Sequence, residues 1–185
     1  MNTLKKERVM KALFYGLFFI SLNVFSAGNF YDFKVNHGEG GVINFSEFKG
    51  KVVVLTNIAT RCGFTDQLDD LETIYAKYKD KNVVVLGIPS NNFLSQTPEA
   101  NKEVVQFCKL KYKTNFPITE KVDVIGDNKH PIIKWVNGQK GFESPILWNF
   151  EKFIIGKDGL IIDRFRSITK PTDKDVIAAI EKALN

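Results

Sequence analysis

Cysteine is nearly missing from this chain, which has only Cys62 and Cys108 among 185 residues. Histidine is equally scarce, with His37 and His130, and the four residues are too scattered to give a zinc-binding spacing. Cys-x-x-Cys does not occur, because the fourth position of "CGFT" is Thr65. That disfavours disulfide exchange of the ordinary dithiol kind. No basic block interleaved with aromatics is present. The formal charge is +5, and residues 1–27, with four basic side chains and one acidic, hold +3 of it, leaving +2 for the rest. So small a charge gives no case for nucleic acid as a partner. Repeats, low-complexity tracts and Pro/Gly/Ser linkers are also lacking, so residues 28–185 read as one domain.

What remains is globular in composition, 44% hydrophobic and 25% charged, and long enough to bury a core. Sixteen phenylalanines favour a strand-rich or mixed core. The first 27 residues differ from the rest. Lys5, Lys6, Arg8 and Lys11 precede the uncharged 14-residue stretch "ALFYGLFFISLNVF", and small residues follow in "SAG". This is the pattern of a secretory signal, with a cut expected within residues 24–28. A spanning helix needs about 20 apolar residues, so a retained membrane anchor is the less favoured reading. Export implies an oxidising compartment, where one structural disulfide between Cys62 and Cys108 is the plainest use of two cysteines.

"NFYDFKVNHGEGGVINFSEFKG" predicts two short strands around a Gly-rich turn. "KVVVLTNIA" and "NVVVLGIP" are apolar runs of the kind expected for strands buried on both faces. Between them, Leu68, Leu71, Ile74, Tyr75 and Tyr78 mark one face of a helix from about Asp66 to Lys79. "TPEANKEVVQFCKL" predicts a second helix, capped by Thr97 with Pro98 at its first position. "HPIIKWV" predicts a short helix with Trp135 in the core and His130 as turn or cap. "WNFEKFIIGKDGLIIDRF" predicts a hairpin turning at Asp158-Gly159, and "TDKDVIAAIEKAL" a final helix capped by Thr172. The basic residues of "KDGLIIDRFRSITK" read as a solvated strand edge. The order β-α-β-α, then hairpin and helix, predicts an α/β, thioredoxin-like fold: a central mixed sheet covered by helices on both faces.

In that plan Cys62 falls in the loop at the C-terminal end of a buried strand, close to a helix N-terminus. Open α/β sheets place their sites there. Unpaired N–H groups and the partial positive charge of the helix end favour thiolate over thiol, and Arg61 adjoins. A lone thiolate here suits attack on a small molecule with a weak bond, such as the O–O of a peroxide.

The stretches "KVVVLTNIATRCGFTDQ", "LGIPSNNF", "FPITEKVDVIGDNKHP" and "WNFEKFIIGKDG" resemble, in order, those of the glutathione peroxidase family, over nearly all of residues 30–184. The resemblance implies that Cys62 is the peroxide-reacting residue. It also implies that Trp148 and Asn149 are active-site partners whose N–H groups donate to thiolate and peroxide. Asn92, in "SNNF", stands where relatives are expected to carry Gln, and Ser90 stands where many carry Cys. Cys108 matches the resolving cysteine of the thioredoxin-dependent branch, and a thioredoxin-like dithiol protein is then the reductant. The short segment before "WNF" matches the monomeric branch, which has an open site and accepts lipid hydroperoxides as well as hydrogen peroxide. Glutathione is the less favoured reductant, because basic residues to grip it are not evident. No cofactor or metal is implied, nor any stable membrane insertion once the signal is cut. Phe64 and Phe93 are candidate walls of the site. A glutathione-dependent one-cysteine peroxidase, a peroxide sensor or disulfide relay, and a structural domain with a permanent disulfide remain as alternatives.

Overall fold

The structure is a computed structural model and describes residues 28–185. The signal read from residues 1–27 lies outside the described residues. Two short strands, β1 (Lys34–Asn36) and β2 (Val42–Asn44), pair antiparallel around the Gly-rich turn. The main sheet holds β3 (Val52–Ile58), β4 (Val83–Pro89), β5 (Lys152–Ile155) and β6 (Ile161–Phe165) in the order β4-β3-β5-β6. β3 runs parallel to β4 and antiparallel to β5, and β5 is antiparallel to β6, so the sheet is mixed. With a strand on each side and helices above and below, all seven residues of β3 are buried. That is why its sequence is a continuous run rather than an alternation.

The helices are α1 (Gln67–Tyr78), α2 (Asn101–Tyr112), α3 (Pro131–Asn137) and α4 (Lys174–Leu184). Apolar residues of α1, α2 and α4 pack on one face of the sheet, Leu71, Val105 and Ile180 among them, together with both cysteines. On the other face, Trp135 of α3 joins Phe30 and Phe45 in an aromatic layer. His130 caps α3, its Nδ1 accepting from the Ile132 N–H at 3.3 Å.

Three local expectations are corrected. α2 begins at Asn101, not beside Thr97. Thr97 is buried four residues before the helix, in the preceding loop, where its hydroxyl donates to the Ser90 carbonyl at 2.8 Å. The Glu103 carboxylate takes the Ala100 N–H instead. At α4 the N-cap position is Asp173, while the Thr172 hydroxyl donates to Asp70. Of the basic residues around β6, Lys157 and Lys170 are exposed as expected, but Arg164 and Arg166 are not free solvent-facing charges. Arg164 and Arg166 converge on the fully buried Glu151 carboxylate, with contacts of 2.6 and 2.9 Å. A buried carboxylate is tolerable only when paired in this way.

The register decides where the site forms. Thr56 lies opposite Lys152 and Ile58 opposite Pro89, so the ends of β3 and β4 and the beginning of β5 share one edge of the sheet. The loops carrying Cys62, Gln96 and Asn149 all start from that edge.

Candidate active site

Residues 62–65 close a tight turn. The Thr65 N–H donates to the Cys62 carbonyl at 3.0 Å, and the Cys62 N–H donates to the Thr65 hydroxyl oxygen at 2.9 Å. Thr65, where a second cysteine would stand in a dithiol motif, thus fixes the Cys62 backbone. Successive turns carry the chain to Gln67, where α1 starts. The first N–H groups of the helix are used by the carbonyls of Phe64, Thr65 and Asp66, so the helix end does not face the sulfur directly. The backbone donor at Cys62 Sγ is the Phe64 N–H, at 3.5 Å. Cys62 is 8% exposed, packed in the core with an opening to solvent. Arg61 is turned to Glu99 at 2.8 Å. Burial opposes charge on Glu99, but hydrogen bonds from Thr60, from backbone and from Arg61 outweigh it and hold the carboxyl below its usual range. The Arg61 charge is therefore largely met by Glu99.

The segment Trp148–Glu151 is clamped to β3 by Asn57. Its Nδ2 donates to the Trp148 carbonyl at 3.0 Å, its Oδ1 accepts from the Glu151 N–H at 2.9 Å, and its carbonyl accepts from the Phe150 N–H at 2.6 Å. Asn57 escaped the sequence reading, although a polar residue inside an apolar strand was the available signal. The clamp presents Asn149, fully buried, with Nδ2 donating to Gln96 Oε1 at 2.9 Å and Oδ1 left without a partner. Gln96 also joins the loop of Cys62, since its carbonyl accepts from the Arg61 N–H at 2.9 Å. The Trp148 ring packs against the cluster that includes Cys62 and against Phe93, centroids 5.4 Å apart. Phe93 therefore contributes to the wall. Phe64 lines a groove of about 360 Å³ with Gly63 and Ile168. A larger open cavity, by His37 and Asn101, contains none of these residues.

A family model described as glutathione peroxidase matches residues 30–137. The chain belongs to the glutathione peroxidase family. It is 42% identical over 151 residues to glutathione peroxidase-like peroxiredoxin 2 of Saccharomyces cerevisiae, covering 80% of this chain and 93% of that protein. To the glutathione peroxidase homolog BsaA of Staphylococcus epidermidis it is 42% identical over 156 residues, 83% of this chain and 98% of that one. Among solved structures, the apo form of Trgpx aligns with a TM-score of 0.68 at 36% identity, over 85% of this chain and 96% of its own. A thiol:disulfide interchange protein of the thioredoxin family from Chlorobium tepidum aligns with a TM-score of 0.63 at 17% identity, covering 83% and 93%. That likeness speaks for the thioredoxin-like fold alone.

For this family member, the structure arranges the expected residues unequally. Cys62, Trp148 and Asn149 share the edge described above. Asn92 is engaged elsewhere: its Oδ1 accepts from Ser90 Oγ and the Val124 N–H, and its Nδ2 donates to Asp123 at 2.8 Å. The amide that meets Asn149 belongs to Gln96, four residues on. A Gln three residues beyond "SNNF" was visible in the sequence, but only the turn at Phe93–Gln96 shows which amide faces inward. Cys108 lies inside α2, wholly buried, and loss of solvent pushes its thiol up to about 12. Both cysteines are free thiols.

Beneath the turn sits Lys152, also missed from sequence. It is completely buried and donates to Gln67 Oε1 at 2.8 Å and to the Thr169 carbonyl at 2.5 Å. Burial lowers its pKa to about 8, against the opposing pull of Glu151, Asp173 and Asp70. Gln67 in turn donates to the Ser167 carbonyl at 2.6 Å, so this pair ties the start of α1 to β5 and to the loop before α4.

Proposed function

We propose that the protein is a thiol peroxidase that acts on hydrogen peroxide and on organic, including lipid, hydroperoxides. The Cys62 thiolate attacks one peroxide oxygen. The S–O bond forms as the O–O bond breaks, and the departing oxygen takes a proton to leave as water or an alcohol, giving sulfenic acid on Cys62. The observation that carries this reading is the meeting of the Cys62 turn with the buried Gln96–Asn149 amide pair beside Trp148. Asn149 and Gln96 supply fixed amide groups where charge develops on the peroxide oxygens.

The Cys108 thiolate then displaces hydroxide from the Cys62 sulfenic acid, forming Cys62–Cys108 and, after protonation, water. A thioredoxin-like dithiol protein reduces the disulfide and is itself oxidised. Support comes from the naming of a relative as a peroxiredoxin and from there being no third cysteine. The helix around Cys108 must open for this step. One observation favours a second reading: a thiol buried and held near pKa 12 is a poor nucleophile until released, and glutathione acting on Cys62 alone would bypass it. We take the protein to be exported through its signal and to work as a monomer.

The test is thiol titration and mass measurement of the reduced protein before and after one equivalent of hydrogen peroxide. Loss of both thiols with loss of two hydrogens supports the two-cysteine cycle. Loss of one thiol with gain of one oxygen supports the glutathione reading. Retention of both thiols refutes the peroxidase.

A further inference from the structure

At the rim of this site the chain adopts a conformation its residues disfavour. The Gln96 N–H closes a turn onto the Phe93 carbonyl at 3.1 Å. Both central residues have positive φ, +50° at Leu94 and +53° at Ser95. Those are the signs of a type I′ turn, which selects Gly, Asn or Asp because a Cβ crowds the backbone there. Leucine is a poor occupant, and its side chain gains nothing from packing, being 77% exposed. Among the described residues, the other large apolar side chain with positive φ is Phe150, which is fully buried and so compensated by the core. Leu94 has no such compensation within the molecule.

Its position supplies a reason. Leu94 sits between Phe93, whose ring touches Trp148, and Gln96, whose amide holds Asn149. Next to Trp148 stands a second exposed leucine, Leu147 (60%), its backbone N–H anchored to the buried Glu151 carboxylate. Two exposed leucines thus flank two rings in contact, all beside the amides that would face the peroxide. Strained residues kept at sites point to function.

We propose that Leu94, with Leu147, is a specificity determinant: it forms an apolar shelf that takes the hydrocarbon body of an organic hydroperoxide while its O–O group meets Cys62. This rests on the peroxidase reading. Hydrogen peroxide has no hydrocarbon body and gains nothing from the shelf, so the residue acts on the ratio of the two substrates rather than on the chemistry.

The test is single-turnover oxidation of the reduced protein by cumene hydroperoxide and by hydrogen peroxide, which needs no reductant, for wild type, Leu94→Asn, Leu147→Ser and, as a distant exposed control, Leu160→Asn. Leu94→Asn should slow the cumene hydroperoxide reaction roughly threefold to tenfold and leave the hydrogen peroxide rate unchanged. Its melting temperature should hold or rise, because Asn suits positive φ. Leu147→Ser should shift the ratio in the same sense, and Leu160→Asn should not shift it. An unchanged ratio in Leu94→Asn, or equal losses with both peroxides, overturns the assignment while leaving the peroxidase intact. A wild-type protein inert to both peroxides overturns the peroxidase reading and the shelf with it.

Discussion

The two thiols of this protein belong to one apolar cluster yet occupy opposite kinds of structure. Cys62 lies in an irregular turn whose backbone is fixed by a threonine hydroxyl and whose sulfur meets a backbone N–H. Cys108 lies inside a regular helix, its carbonyl accepting the closing N–H of Lys113, and its thiol has no access to water. The difference separates chemistry that needs no rearrangement from chemistry that waits for one. On the proposed cycle an oxidant meets Cys62, 8% exposed, in the folded state, whereas Cys108, with no exposed surface, waits for α2 to open. On that proposal the delay would leave the Cys62 sulfenic acid time to meet another reductant.

The strongest way to break this contrast is Cys62→Ser, which should reduce peroxide consumption below detection in a coupled assay; persistent turnover would place the chemistry elsewhere. Cys108→Ser should keep the first oxidation at its normal rate, seen as one added oxygen, but lose cycling with thioredoxin. Normal cycling in that variant would remove Cys108 from the mechanism.

Lys152→Met probes the support beneath Cys62. The folded-state pKa of Lys152 is depressed to about 8 from an ordinary 10.5. Below pH 8 both states hold the proton. Between pH 8 and about 10.5 the unfolded state binds it more, so this group makes wild-type stability rise with pH in that window. The variant should lack that rise, and the stability difference between the two proteins should change by on the order of 1–3 kcal/mol across it. Denaturant unfolding at pH 7.5 and pH 10 measures this, and equal differences at both would deny the buried cation. The mildest change sharpens the helix side. Lys113 ends α2 with φ of +53°, a conformation that glycine adopts more easily. Lys113→Gly should steady the helix end and slow disulfide formation roughly fivefold, the factor for about 1 kcal/mol, with Cys62 oxidation unaffected. Stopped-flow tryptophan fluorescence with quenched mass analysis separates the two steps.

How much of this could be read in the residues alone depended on range. The strand "VVVLTNI" and the face Leu68, Leu71, Ile74 declare themselves by local pattern, and Cys62 follows from their junction. Long-range partners do not declare themselves. Thr97 resembles a helix cap until the loop is seen to hold it against Ser90, four residues before α2 starts. Arg164 and Arg166 look like solvent-facing charges until Glu151 is seen beneath them. Asn92 and Gln96 are both amides near one loop, and only backbone dihedrals at Leu94 and Ser95 decide which turns toward Asn149. Lys152 carries no mark of burial in the sequence, because nothing nearby shows that α1 and the loop before α4 enclose it.

One consequence of the sheet order concerns synthesis. The thiol at residue 62 belongs to an early segment, but the amide at Asn149 is brought to it only when β5 docks against β3, across a sequence gap of roughly ninety residues. Contacts of that span form late because closing so long a loop is entropically slow. No fragment that stops before residue 149 contains the site. The growing chain therefore carries Cys62 well before the amide proposed to serve it, and the candidate site is assembled only with completion of the sheet.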